Sequence, residues 1–349
     1  MRAPDAERRR LLRLGLAALG TPFVAGPLLG AWLPRLAGAS PQGASATPDS
    51  LQLKFAWNRF HALHCWLRVM AERQSDPPAA FSAAIETYRK HRKLIPDPRI
   101  WYTMESYIAR VRTPEALPGQ LATFPLEYRQ YDLAPTGRAI ATAMQESLGP
   151  FEATIWPPFE TIKSTDTEPT LRGILEPRRK ALLEFMFTSL NTGPFPDPLL
   201  EFNLVGVYAL RGLETREING RHFATLEIDR FRGLDLIEGI LFLVGRSIEQ
   251  EDAGNLKGAL AQIRLKQSVL RLPNPALLPQ AVLYWTAGEA VRRVVDPQHE
   301  HTGQKQARIY GAFRPFMSGL REVWNPYLDG KLGLAEAVDR LIARIQKEG

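Results

Sequence analysis

The sequence predicts a mainly α-helical, α+β fold, in which a small hairpin or sheet lies at the centre of a multi-helical chain. Most segments carry apolar residues at steps of three and four, which is the spacing of an amphipathic helix. A single stretch, residues 200–228, is instead rich in β-forming residues and contains the turn dipeptide Asn219-Gly220. Prolines separate several of the helical segments.

The first predicted helix begins at Leu51 and runs for about 20 residues. Its apolar stripe consists of Leu53, Trp57, Phe60, His64, Leu67 and Met70. Five more helices are predicted before the β segment, over residues 79–91, 100–111, 136–148, 151–163 and 169–190. Five follow it, over residues 233–250, 254–270, 275–294, 304–325 and 333–347.

The β segment has two parts. Residues 200–210 form a run of apolar and β-forming side chains, and residues 222–228 alternate in the manner of a half-buried strand. Because Asn-Gly is the strongest short signal for a two-residue turn, residues 217–228 predict a hairpin.

Composition excludes several classes of protein. The 349 residues carry a formal charge of +7, but residues 1–39 hold six arginines against two acids, which leaves +3 for the rest. No cluster of basic and aromatic residues stands out, so nucleic-acid binding is not predicted. The single cysteine, Cys65, excludes an intramolecular disulfide, and about 300 residues suffice for a large packed core.

Residues 1–39 predict a twin-arginine signal peptide. Arg8, Arg9 and Arg10 precede a mildly apolar run, and small residues before Ala39 and Ala46 offer cleavage sites. The alternative is an uncleaved amino-terminal anchor. We therefore expect a periplasmic or secreted protein with no integral membrane domain after cleavage. We predict a flexible leader over residues 40–50, a helical subdomain over 51–199 and a second subdomain with the β-hairpin over 200–349, the two subdomains packed as one unit.

Two groups of histidines are candidates for chemistry. His61 and His64 lie three residues apart on the first predicted helix, next to Cys65, so they could hold a metal or haem. The alternative is that His64 lies on the apolar stripe of that helix and His61 at its edge, with Cys65 a small buried hydrophobic residue. His299 and His301 lie in a loop, where we expect them to be solvated.

Residues 233–250 and 277–293 resemble a group of secreted bacterial zinc-peptidase-like proteins of gluzincin type. In that group a hairpin leads into a helix with Glu-x-Leu-Phe-His-Glu-x-x-His, and a later helix carries His-Ala-Val-Leu-Phe-Tyr-Thr-Ala-Gly-Glu-Ala-Val-Arg-Arg. Residues 286–293 match the end of the second pattern throughout. The resemblance covers roughly residues 50–347, including the first helix and the segment Trp-Asn-Pro-Tyr-Leu-Asp-Gly at 324–330.

The resemblance implies a zincin-like domain whose metal site has been lost. The two zinc-binding histidines of the pattern correspond to Leu243 and Ser247, and its general base corresponds to Val244. Gln280 stands at the histidine that opens the later motif, and Glu289 stands at the third zinc ligand. Leucine and valine cannot bind zinc or transfer protons, so we expect no zinc cofactor.

The resemblance therefore implies an exported, non-catalytic, peptidase-like protein that acts as a binding or scaffold protein. A remaining cleft would be lined by Glu238, Tyr284, Glu289 and Arg292. The alternative for Glu289 is an ordinary carboxylate that pairs with Arg292 or Arg293 one turn later on the helix. Its partner is unknown, a peptide or a periplasmic protein being the expectation. Two alternatives stay open: a hydrolase with a site rebuilt around Glu238 and Glu289, and a metal- or haem-binding protein that uses His61, His64 and Cys65.

Overall fold

The computed structural model describes residues 51–73, 77–122, 133–192, 199–206, 214–218, 221–251, 257–272, 274–305 and 311–347. The predicted signal peptide and leader, residues 1–50, lie outside these ranges. The described chain is mainly helical with one small sheet, as the sequence predicts. Within these ranges no helix is both long and apolar enough to span a bilayer.

The elements follow one another in chain order. The strands are β1 (Gln52–Trp57), β2 (Leu199–Val205), β3 (Glu214–Ile218) and β4 (Arg221–Glu227). The helices before β2 are α1 (Arg59–Glu72), α2 (Ser82–Leu94), α3 (Pro98–Ile108), α4 (Leu117–Ala122), α5 (Leu133–Thr154), α6 (Trp156–Ile162) and α7 (Glu176–Leu190). The helices after β4 are α8 (Leu234–Glu251), α9 (Ala259–Gln267), α10 (Leu278–Val294) and α11 (Leu334–Gln346).

Several helical segments are irregular. Two π-helical stretches, Lys163–Thr167 and Leu171–Leu175, join α6 to α7 through the short helix Glu168–Thr170. Of the helix predicted over 304–325, the described residues are helical at Thr302–Lys305 and again over 311–328, where the π-helical stretch Leu320–Trp324 interrupts the α-helix. Residues 306–310 between them lie outside the described ranges.

The prediction of one long helix from Leu51 is wrong, because residues 52–57 form β1. Leu53 and Trp57 lie four residues apart, so their spacing fits both periods, and parallel pairing with β2 selects the strand. The side chain of Asn58 then accepts hydrogen bonds from the backbone N–H groups of Phe60 and His61, which starts α1.

The sheet has the strand order β1-β2-β4-β3. β1, β2 and β4 are parallel, and β3 pairs antiparallel with β4 from Ile218 and Arg221 outwards. This pairing confirms the predicted hairpin, although the turn at Asn219-Gly220 lies outside the described residues. The sheet joins strands from both predicted subdomains.

The sheet separates two hydrophobic cores. Leu200, Phe202 and Leu204 point into the larger core, which α7 to α11 complete. Val205, on the opposite face of β2, packs into the smaller core formed mainly by α1 to α5. Thr225 of β4 alternates with residues of the larger core and faces α3, where it meets Glu105.

Candidate functional site

The motif positions on α8 belong to the larger core. Leu243 and Val244 are fully buried, and the hydroxyl of buried Ser247 donates to the carbonyl of Leu243 at 3.1 Å. Gln280, on α10, is half-buried. The two helices pack closely, since a Cβ on Gly245 would lie 2.7 Å from Leu283. Leu243 and Val244 have no atom that could bind zinc, and the Ser247 hydroxyl is hydrogen-bonded within its own helix. The α8 positions therefore do not fit the zinc ion that the resemblance implies.

Glu289, at the third-ligand position, is held by three cationic or hydrogen-bonding groups. Arg292 donates to both carboxylate oxygens, at 3.0 and 2.6 Å, and Arg293 donates to Oε2 at 3.0 Å. Nε2 of His301 lies 3.1 Å from Oε1. Burial by itself opposes ionisation, but the hydrogen bonds from His301, Arg292 and Arg293 lower the pKa of Glu289 to about 2. The carboxylate is therefore ionised and fully paired.

Glu238, one of the predicted cleft residues, is buried beside the loop that follows α10. Its Oε2 lies 2.8 Å from Nε2 of His299 and accepts the backbone N–H of Thr302 at 2.9 Å. Its Oε1 has no hydrogen-bond partner among the described residues. Asp235, one turn earlier on α8, accepts from the Thr302 hydroxyl at 3.1 Å and pairs with Lys305 at 2.8 Å.

The expectation that His299 and His301 are solvated is wrong, since both are buried. The loop after α10 turns back over α8 and α10, and His299 N–H donates to the Asp296 carbonyl within that turn. The ring of His301 packs edge-on against Trp285, with centroids 4.7 Å apart. Gly288 leaves room for it, because a Cβ there would lie 2.7 Å from the imidazole. The sequence did not predict that His301 packs against Gly288. The local indication for this contact is the glycine itself, next to Glu289.

The remaining predicted cleft residues differ in exposure. Tyr284 is buried, and its ring packs against Phe242 and Phe313 at centroid distances of 5.0 and 6.3 Å. The Arg292 side chain is 40% exposed while it holds Glu289. The structure thus brings Glu238 and Glu289 to one loop, each with its own histidine, and the two imidazole centroids are 6.4 Å apart.

A second buried polar cluster lies on the other side of the sheet. Glu105 of α3 forms an ion pair with Arg68 at 2.9 Å and accepts from the Thr225 hydroxyl at 2.8 Å, and His61 Nε2 lies 3.1 Å away. Burial opposes ionisation of Glu105, but Arg68 and His61 hold its pKa well below the ordinary value. The sequence offered one signal for this residue, which is that Glu105 is the single acid within apolar α3.

His61, His64 and Cys65, the alternative metal ligands, do not all converge. Ligand atoms of His61, Cys65 and Glu105 lie within 4.8 Å of one another, whereas His64 Nδ1 lies 2.9 Å from the Tyr88 hydroxyl. Burial, and then Arg68, lower the pKa of His64 to about 3, so its ring is neutral. Burial raises the pKa of the Cys65 thiol, which favours its protonated form.

These observations define a class of protein: a mainly helical α+β protein with a four-stranded mixed sheet and buried carboxylate–histidine clusters on both sides of it. No family model, curated protein or solved structure matches the chain. The gluzincin resemblance therefore stays a prediction from the residues.

Proposed function

We propose that this is an exported, peptidase-like protein without zinc-peptidase activity, which acts as a binding or scaffold protein outside the cytoplasm. The observation that carries the proposal is the apolar filling of the motif positions, where Leu243 and Val244 take part in the larger core. A zinc ion needs nitrogen, oxygen or sulfur ligands at those positions, and a peptidase needs a base there.

The state of Glu289 supports the same proposal. A catalytic zinc ligand must offer a lone pair to the metal, but both carboxylate oxygens of Glu289 accept hydrogen bonds from guanidinium groups. Giving up these charge-assisted hydrogen bonds for a metal bond is unfavourable without further metal ligands. The carboxylate instead anchors the end of α10 and, through His301, the loop that follows.

The test of the catalytic half of the proposal is a cleavage assay. The mature chain is incubated with a mixed peptide library and zinc, and cleavage is followed by mass spectrometry. We expect equal, background cleavage by the wild type and by Glu289→Gln. Zinc-dependent cleavage by the wild type that Glu289→Gln abolishes would overturn the proposal. Cleavage that Glu238→Gln abolishes would instead favour the rebuilt hydrolase.

The binding half is tested with the same library. The immobilised mature chain is expected to retain a reproducible subset of peptides, while the chain unfolded in urea retains none of that subset. Equal retention by both forms would contradict a folded binding surface.

Export is tested separately with Arg8→Lys and Arg9→Lys combined, which should move the protein from the periplasmic to the cytoplasmic fraction.

A further inference from the structure

Three potential metal ligands meet where the start of α8 lies against the loop after α10. Asp235 and Glu238 are three residues apart on α8 and therefore share a face of the helix. His299 reaches them from the loop. Ligand atoms of these three side chains all lie within 4.8 Å of one another.

One of these ligands has an unused coordination position. Glu238 is fully buried, and its Oε1 has no hydrogen-bond partner in the part of the chain that the structure describes. Its Oε2 is engaged by His299 and by the backbone N–H of Thr302. A buried carboxylate oxygen without a hydrogen-bond donor is unfavourable, and a bound cation would stabilise it.

We propose that Asp235, Glu238 and His299 form a binding site for a divalent first-row transition-metal cation of the Zn²⁺ or Mn²⁺ class. The donor set is two carboxylates and one imidazole without a thiolate, which suits these ions better than Cu⁺, Ca²⁺ or Mg²⁺. The site is separate from the zinc positions on α8 and α10, so it does not depend on the proposed function.

The distances allow such an ion after a small adjustment. Bonds of about 2.1 Å in tetrahedral geometry separate two ligand atoms by about 3.4 Å. His299 Nε2 and Glu238 Oε2 are now 2.8 Å apart, so the ion takes the place of the proton between them, and bidentate binding by the carboxylate brings the unpartnered Oε1 onto the same ion. Nε2 must then be deprotonated, with the ring proton on Nδ1. The Thr302 N–H can stay on Oε2 and orient the carboxylate.

Solvent exposure and charge indicate that a cation would enter this site at Asp235. The Asp235 side chain is 19% exposed, whereas those of Glu238 and His299 are essentially inaccessible. A cation would enter past Asp235 and compete with the ammonium group of Lys305, which now lies 2.8 Å from that carboxylate. Removal of the Lys305 charge should therefore strengthen metal binding.

The neighbouring pair Glu289–His301 provides a matched control. His301 lies on the same loop as His299, and its Nε2 is 3.1 Å from the buried carboxylate of Glu289. Its oxygens, however, accept from Arg292 and Arg293, and these guanidinium groups repel a cation. We expect no metal at this second pair.

The experiment measures Zn²⁺ and Mn²⁺ binding by the chelator-treated mature chain, with calorimetry and with metal analysis after dialysis. One equivalent of metal is expected. Asp235→Asn and Glu238→Gln should each weaken binding by at least about 10- to 100-fold, the loss that even an outer-shell partner causes. Lys305→Gln should tighten it, and Glu289→Gln should leave it unchanged. Asp235→Asn alters a partly exposed side chain, so it decides the matter if Glu238→Gln fails to fold.

Cobalt distinguishes this site from the cluster around Cys65. Co²⁺ bound by Asp235, Glu238 and His299 should show ligand-field bands without a thiolate charge-transfer band, and Cys65→Ser should leave the spectrum unchanged. Three results would overturn the proposal: no binding of either metal, binding that Asp235→Asn does not weaken, or a thiolate band that Cys65→Ser removes.

Discussion

Replacing Glu105 with glutamine places a neutral amide beside the buried guanidinium of Arg68. The wild-type residue is 4% exposed, forms an ion pair with Arg68 at 2.9 Å and accepts from the Thr225 hydroxyl at 2.8 Å, with His61 Nε2 at 3.1 Å. Removing one partner of a buried ion pair costs about 3–5 kcal/mol, because the other charge stays desolvated. Glutamine keeps the volume and one acceptor, so we expect a loss near the lower end, about 3 kcal/mol.

The assay is urea unfolding followed by circular dichroism, with the free energy of unfolding extrapolated to water. The matched control is Lys54→Met, which removes the Lys54–Glu201 pair at 2.9 Å, where the lysine side chain is 53% exposed. That exposed pair should contribute less than about 1 kcal/mol. The combined variant Glu105→Gln with Arg68→Met should be more stable than Glu105→Gln alone, since no buried charge is left without its carboxylate. Equal losses for Glu105→Gln and Lys54→Met, or additive losses in the combined variant, would refute the reasoning.

Further predictions concern the two clusters. Gly288→Ala places a Cβ 2.7 Å from the His301 ring and should lower the free energy of unfolding by about 1–3 kcal/mol; an unchanged thermal midpoint would show that the loop is not seated there. Because the pKa of Glu289 is lowered to about 2, its ionised form stabilises the fold fully above about pH 4.5, and this contribution is lost as the pH falls towards 2. The stability difference between wild type and Glu289→Gln, about 2 kcal/mol at pH 7 after allowance for solvent screening, should therefore shrink over that range in urea titrations. Burial lowers the pKa of His64 to about 3 in the folded chain, whereas in the unfolded chain the imidazole takes up a proton below about pH 6.5. The free energy of unfolding should therefore fall from pH 6.5 towards pH 3, and it should fall less steeply in His64→Gln. Cys65 should react with a thiol reagent only after unfolding, because burial raises its thiol pKa; rapid reaction of the native chain would contradict this.

The predictions that succeeded rest on local patterns. The hairpin followed from Asn219-Gly220 between two β-forming runs, and α8 and α10 from apolar residues at helical spacing. The prediction of a helix from Leu51 is wrong because residues 51–57 suit either period, and the choice depends on pairing with β2, 147 residues further along the chain.

The candidate site shows the same division. Glu289 pairs with Arg292 and Arg293 at helical steps of three and four. The sequence predicts this pairing as the alternative to a position of Glu289 in a cleft. The loop histidines could not be placed, because nothing periodic relates His299 to Glu238, 61 residues earlier. Glu105 likewise meets Thr225 across 120 residues of chain.

The sequence by itself determined the mainly helical class, the hairpin and the apolar character of the α8 motif positions. These follow from side-chain period and residue chemistry, which act over a few residues. Only the tertiary structure decided that β1 is a strand, that His299 and His301 are buried on Glu238 and Glu289, and that Asp235, Glu238 and His299 converge. The physical reason is that a buried carboxylate takes whichever donor the packed chain brings within reach, and that partner is set by long-range packing.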